Sequence, residues 1–189
     1  MQMIVSHILL NVQNLGPGNR LCIWFAGCSK HCPNCVAQEL KKTDGYMEIS
    51  PEDLASLVNY KAAESGASGI TVSGGDPMEQ EGIATFLSLL EVPDILVYTG
   101  FTQDEMRSSG LLDQVRPHIA VLKCGRYKPA LDHGHPLMGS SNQEMIYCKP
   151  EFEALYNEYI ARQKRKLQFH ELAGRIYFSG LPDSSMKGA

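Results

Sequence analysis

Residues 27–35 read Gly-Cys-Ser-Lys-His-Cys-Pro-Asn-Cys and gather three thiols, Cys28, Cys32 and Cys35, into one short loop with C-x3-C-x2-C spacing. The loop follows directly on Leu21-Cys-Ile-Trp-Phe25, an apolar run of strand length, so it sits at the C-terminal end of a buried strand. Three chemistries compete for such a loop. A structural zinc site needs four closed ligands, usually from two C-x2-C knuckles, and the second knuckle is absent. His31 is adjacent to Cys32, where the short backbone makes joint coordination of one ion awkward. Cys32-Pro-Asn-Cys35 alone reads as a redox pair following a strand, which leaves Cys28 unexplained. A 4Fe-4S cluster held by three thiolates uses all three and leaves one iron open to a bidentate small molecule such as an amino acid.

The chain around this loop is that of a globular domain. It has 189 residues, 43% hydrophobic and 20% charged, which suits one domain with a sizeable core (1–189, with its central part over about 15–147). No apolar run reaches the length of a membrane span, and the N-terminal stretch lacks a charged start and a small-residue cleavage site, so a cytoplasmic protein is expected. There six cysteines point to metal or redox chemistry rather than disulfides. Cys22, Cys124 and Cys148 are isolated and read as small buried apolar residues. A net charge of −4 gives no general attraction to nucleic acid or anionic lipid, so a protein or small-molecule partner is favoured.

The periodicity then predicts βα alternation. A helix starts at Ser50-Pro51 and runs to about Ser65, and Gly69–Ser73 is a second strand. Asp76 caps another helix, with Pro77 at its first position and Ile83, Phe86, Leu87 and Leu90 on one face. Ile95–Tyr98 is a third strand, Thr102 and Glu105 form a capping box, Ile119–Cys124 is a fourth strand and Glu144–Tyr147 a fifth. Residues 125–143 read as a long loop, and 152–160 as an amphipathic helix ending in the basic run Arg162, Lys164, Arg165 and Lys166, whose bland reading is a solvated face and whose sharper one is the docking of an acidic partner. Arg175–Phe178 is a candidate edge strand, within a C-terminal part of 150–180, and the Ser/Gly/Lys-rich end from Pro182 is expected to fray. This alternation predicts an α/β fold with a mostly parallel sheet, open or partly closed as a barrel, and functional loops at the strands' C-terminal ends.

Ser73-Gly-Gly-Asp-Pro77 lies at the next strand end after the thiol loop. By itself it is a strand-to-helix turn with permissive glycines and a capping aspartate. In order with C-x3-C-x2-C it resembles the radical S-adenosylmethionine superfamily. Leu15-Gly-Pro-Gly-Asn-Arg20, the thiol loop, Ser73–Pro77, Tyr98-Thr-Gly100, Gly125-Arg-Tyr127 and Gly139-Ser-Ser-Asn-Gln143 are together similar to the anaerobic ribonucleoside-triphosphate reductase activating proteins. Three features depart from that pattern: Val36 where an aromatic is common, Lys123-Cys124-Gly125 where Val-Asp-Gly is common, and a longer C-terminal segment.

The resemblance implies a partial (β/α)6 TIM-like barrel of the radical SAM type. Cys28, Cys32 and Cys35 are then expected to hold a 4Fe-4S cluster, and S-adenosylmethionine to be the second cofactor. Gly74, Gly75 and Asp76 are expected to meet its amino group, Asn34 its adenine, Tyr98 and Thr99 its ribose side, and Lys123 its carboxylate. The implied partners are a glycyl-radical reductase and an electron donor such as flavodoxin or ferredoxin. A radical enzyme acting on a small molecule or peptide, and a non-catalytic zinc or thiol-redox module, are the alternatives. His133 and His135 form an H-x-H pair whose bland reading is solvent exposure.

Overall fold

The structure, a computed structural model, describes residues 1–182; the end beyond Pro182, expected to fray, lies outside the described residues. The chain opens with β1 (Met3–Val12), which the sequence reading missed, and turns through Leu15–Asn19 into β2 (Arg20–Phe25). The thiol loop follows, then the short β3 (Met47–Ile49), α1 (Pro51–Ser65), β4 (Gly69–Gly74), α2 (Ile83–Ser88) and β5 (Ile95–Tyr98). Next come α3 (Gln103–Ser108), α4 (Leu111–Val115), β6 (Val121–Cys124) and β7 (Glu144–Tyr147). The chain ends in α5 (Glu153–Arg162) and a hairpin of β8 (Gln168–Leu172) and β9 (Arg175–Ser179).

The first seven strands form one sheet in the order β3-β1-β2-β4-β5-β6-β7. β2, β4, β5 and β6 are parallel neighbours, while β1 and β7 run against them. The fold is therefore mixed α/β with a large, mostly parallel sheet. Because successive parallel strands always step the same way, right-handed crossovers place the helices between them on one face. Leu21, Ile23, Phe25, Ile70, Val72, Ile95, Val97 and Leu122 alternate onto that face, where they pack with Leu54, Val58, Phe86, Leu87, Leu112 and Val115. The register pairs Phe25 with Gly74 and Tyr98 with Lys123, so the ends of the parallel strands lie side by side.

Local signals explain most element starts. Ser50 Oγ accepts from Asp53 N at the head of α1, and Thr102 and Glu105 make both bonds of the capping box. Two expectations need correction. The helix expected from Asp76 onward is a 3-10 turn at Pro77–Glu79 followed by a break and then α2. Gln80 causes the break: its amide accepts from Ile4 N and donates to Ala26 O, which holds the chain against the sheet. Arg175–Phe178 is not an edge strand of the main sheet; it lies in β9, paired with β8 in a separate hairpin.

The opposite face of the sheet is polar at its centre. Arg20 is fully buried, donating to Thr71 Oγ1 at 2.7 Å, to Pro17 O and Ile70 O, and to Asp94 Oδ2 at 2.6 Å. The Tyr156 hydroxyl of α5 donates to Asp94 Oδ1 at 2.7 Å. A buried guanidinium is tolerated because each donor direction meets an acceptor, and the network fastens α5 to the sheet. The hairpin is fastened through Asn14, which donates to Lys166 O and Ser179 O, and through His7, whose ring lies between Trp24 (4.7 Å) and Tyr177 (4.4 Å). Among the described residues no helix is long and apolar enough to cross a membrane.

This polar face sets two expectations for stability. Asp94→Ala strands a buried guanidinium and is expected to cost about 3–5 kcal/mol in urea unfolding, against about 1.5–3 kcal/mol for Tyr156→Phe, which removes one bond to a charged group. Burial, reinforced by His170, pushes His7 from 6.5 down to about 4. The unfolded chain therefore binds a proton that the folded one refuses, so this contribution to stability is full above pH 6.5 and is lost as pH falls toward 4. His7→Phe keeps a stacking ring and is expected to flatten the slope of stability against pH in that window.

Candidate functional site

The C-terminal ends of β2, β4, β5 and β6 release the four segments that the sequence singled out. All ten expected site residues line one cavity there: Cys28, Cys32 and Cys35; Asn34; Gly74, Gly75 and Asp76; Tyr98 and Thr99; and Lys123. The three thiols are free and half-buried. Asn34 sits at φ 52°, which bends the loop between Cys32 and Cys35. His31 is exposed and does not line the cavity.

The strand end at Ser73–Pro77 is held against the thiol loop by backbone bonds. Gly75 N donates to Phe25 O and Asp76 N donates to Gly27 O, each near 2.8–2.9 Å. Gly74 has φ 121°, and a Cβ there would collide with the backbone of Phe25. A Cβ on Gly75 would collide with Gly27 O and come within 2.7 Å of Leu40 O. The pair is glycine because two backbones cross without room for a side chain.

Asp76 is a hub. Oδ1 accepts from Met78 N at 3.1 Å and from Thr99 Oγ1 at 2.7 Å; Oδ2 accepts from Gly100 N at 2.9 Å and Lys30 Nζ at 2.7 Å. These bonds occupy the roughly four acceptor positions that a carboxylate has. The cap that the sequence predicts is present, and the same carboxylate also joins the ends of β4 and β5 to the thiol loop.

Lys123 presents a different situation. It is 7% exposed and lines the cavity, and its ammonium has no hydrogen-bond or ion-pair partner among the described residues beyond the Tyr98 ring at 5.4 Å. Burial pulls its ammonium down to about 8, against the raising influence of Asp76 and nearby cysteines, so it is still mostly charged at neutral pH. An unpaired buried cation facing a cavity is a receptor for an anionic group. The buried Tyr98 hydroxyl also lacks a partner among the described residues.

The sequence reading missed or misjudged three residues. Lys30, between Cys28 and Cys32, is buried and pairs with Asp76 and with Glu79 at 2.6 Å. Arg165, expected on a solvated face, instead has a side chain only 3% exposed and lines the cavity. It pairs with Asp132 at 2.7 Å and donates to His135 O and Met138 O, which ties the 125–143 loop to the C-terminal segment. His135 is half-buried and its Nδ1 accepts from Leu137 N and Met138 N, so its role is to shape that loop, while His133 is exposed. The signal for Lys30 was its place opposite an Asp-x-x-Glu turn; for Arg165 the sequence holds none, since its contacts depend on how the chain returns after α5. Cys22 and Cys124 are buried as expected, and burial pushes the Cys22 thiol up to about 12.

The donor set fits a polynuclear group better than one ion. Thiolates sharing a zinc ion stand about 3.8 Å apart, from Zn–S bonds of about 2.3 Å in a tetrahedron. The three thiols open on one cavity without converging within 4.8 Å; the group that does so among the described residues is Cys28 with Asp76 and Glu79, whose carboxylates already hold Lys30. A cluster that takes each thiolate at a separate iron does not require the three to converge on one point.

Comparison with known proteins agrees with that chemistry. Residues 14–146 match the family model described as a 4Fe-4S single cluster domain. The chain is 30% identical over 143 residues to the anaerobic ribonucleoside-triphosphate reductase-activating proteins of Salmonella typhimurium and Escherichia coli, covering 71% of this chain and 92% of each relative. The protein of the same name from Pasteurella multocida is 30% identical over 146 residues, covering 70% of this chain and 89% of the relative. The chain thus belongs to the 4Fe-4S single cluster domain family and groups there with the anaerobic ribonucleoside-triphosphate reductase-activating proteins.

The crossing at Gly75 gives a prediction. Gly75→Ala is expected to cost about 1–3 kcal/mol and to lower iron bound after anaerobic reconstitution, because relief requires moving the thiol loop. Gly110→Ala, at φ 73° and with no atom within 4 Å of its Cβ, is expected to lose some stability and no iron.

Proposed function

We propose that the protein is a radical S-adenosylmethionine activase that installs a glycyl radical on a partner enzyme, an anaerobic ribonucleotide reductase. The observation that carries this reading is one cavity onto which three free thiols, a glycine strand end and an unpaired buried ammonium all open. Cys28, Cys32 and Cys35 would hold a 4Fe-4S cluster with one iron left to S-adenosylmethionine, and the two together supply a reductively formed 5′-deoxyadenosyl radical able to take a hydrogen atom from a glycine α-carbon.

The remaining work belongs to the chain. Lys123 would meet the methionyl carboxylate, a charge-assisted contact replacing the solvation that burial removed. The backbone of Gly74 and Gly75 would meet the amino group, with Asp76 acting by holding their strand against Thr99 and Gly100. Asn34 would border the adenine, and Tyr98 and Thr99 the ribose. We read the one-sided winding of the sheet as the wall of a partial (β/α) barrel of the radical SAM type, carried by a single domain. An electron donor such as flavodoxin or ferredoxin completes the system. The name of the relatives, activators of the anaerobic reductase, supports the reductase as partner.

Reduced, iron-loaded protein incubated anaerobically with S-adenosylmethionine and a candidate reductase is expected to yield 5′-deoxyadenosine and a glycyl-radical signal on the reductase. Lys123→Met is expected to weaken S-adenosylmethionine binding about tenfold or more, the equivalent of one charged hydrogen bond. 5′-deoxyadenosine without a radical on the partner removes the substrate assignment; neither product from iron-loaded protein removes the function.

A further inference from the structure

Lys30 is the second residue after Cys28 and the second before Cys32, yet it points away from solvent, with a side chain 5% exposed. Its ammonium lies 2.7 Å from Asp76 Oδ2, 2.6 Å from Glu79 Oε1 and 3.4 Å from the centre of the Phe101 ring. Glu79 also accepts from Ser29 N and Ser29 Oγ, each at 2.8 Å. The stem of Lys30 passes over Gly100, where a Cβ would lie 2.6 Å from its Cδ. One side chain therefore fastens the first arc of the thiol loop to the turn after β4 and to the segment after β5. The ion pair and the face of an aromatic ring fix the charge in place, at a depth where solvent screens it little.

We propose that Lys30 is a positioning residue that also acts electrostatically, setting the first arc of the thiol loop and lending the group bound there a fixed positive charge that raises its reduction potential. The inference rests on the cluster reading given above. Uptake of one electron makes the cluster and its thiolates more negative, so a nearby fixed cation stabilises the reduced form and a nearby fixed anion opposes it. Lys30, Asp76 and Glu79 together carry one net negative charge. Removing the lysine charge makes this set more negative, and removing the Glu79 charge makes it neutral. The two substitutions are thus expected to move the potential in opposite directions, which a purely mechanical clamp would not do.

The test is mediator titration of anaerobically reconstituted wild type, Lys30→Met and Glu79→Gln, following the one-electron reduction optically without substrate. A lower midpoint potential in Lys30→Met and a higher one in Glu79→Gln are expected. Equal potentials, or shifts of the same sign, overturn the inference while leaving the cluster reading intact. Failure of wild type to bind iron overturns the cluster reading itself. Should Lys30→Met not assemble, Lys30→Gln takes its place: a midpoint below that of wild type supports the inference, and one at or above it overturns it.

Discussion

The Asp76 carboxylate is the interaction on which the site depends. It reaches the residues after β4 through Met78, the residues after β5 through Thr99 and Gly100, and the thiol loop through Lys30. Three segments far apart in sequence are brought to fixed relative positions by one buried group with every acceptor position used. Burial strengthens these bonds and makes each of them costly to lose. The backbone crossing at Gly74 and Gly75 adds a steric constraint to the electrostatic one. A loop that carries three free thiols thereby gains the order that loops otherwise lack.

The opposite face of the sheet solves a second problem, that of closing the cavity's side with elements that follow β7. Arg20, Asp94 and Tyr156 anchor α5, and His7 with Asn14 anchors the hairpin. Between these anchors Arg165 reaches the cavity wall and holds the 125–143 loop by its carbonyls. These elements lie beyond residue 146, where the family match ends. Part of the wall is therefore supplied by a segment outside the matched region.

Much of the site was legible because its signals are local. Thiol spacing, a Gly-Gly-Asp-Pro strand end and strand-like runs ending at Phe25, Ser73, Tyr98 and Cys124 each depend on a few adjacent residues, and the parallel register aligns them. The fold was legible as alternation but not in its edges. β1 looked like an N-terminal apolar stretch, because its value lies in pairing with β2 and β3. The break before α2 was hidden because Gln80 has good helix propensity, and its side-chain bonds to Ile4 and Ala26 prevailed. Lys30 was not among the expected site residues and Arg165 was expected on a solvated face, because the carboxylates that receive them, Asp76 and Asp132, lie far off in sequence.

The central claim is that three thiols in one cavity hold an iron–sulfur cluster rather than one ion or a disulfide. Iron, sulfide and zinc analysis of anaerobically reconstituted protein, alongside the triple variant Cys28→Ala, Cys32→Ala and Cys35→Ala, tests it most directly. The account predicts about four irons and four sulfides per chain, all lost in the triple variant while Cys22, Cys124 and Cys148 remain. Stoichiometric zinc without sulfide, or full iron in the triple variant, would contradict it.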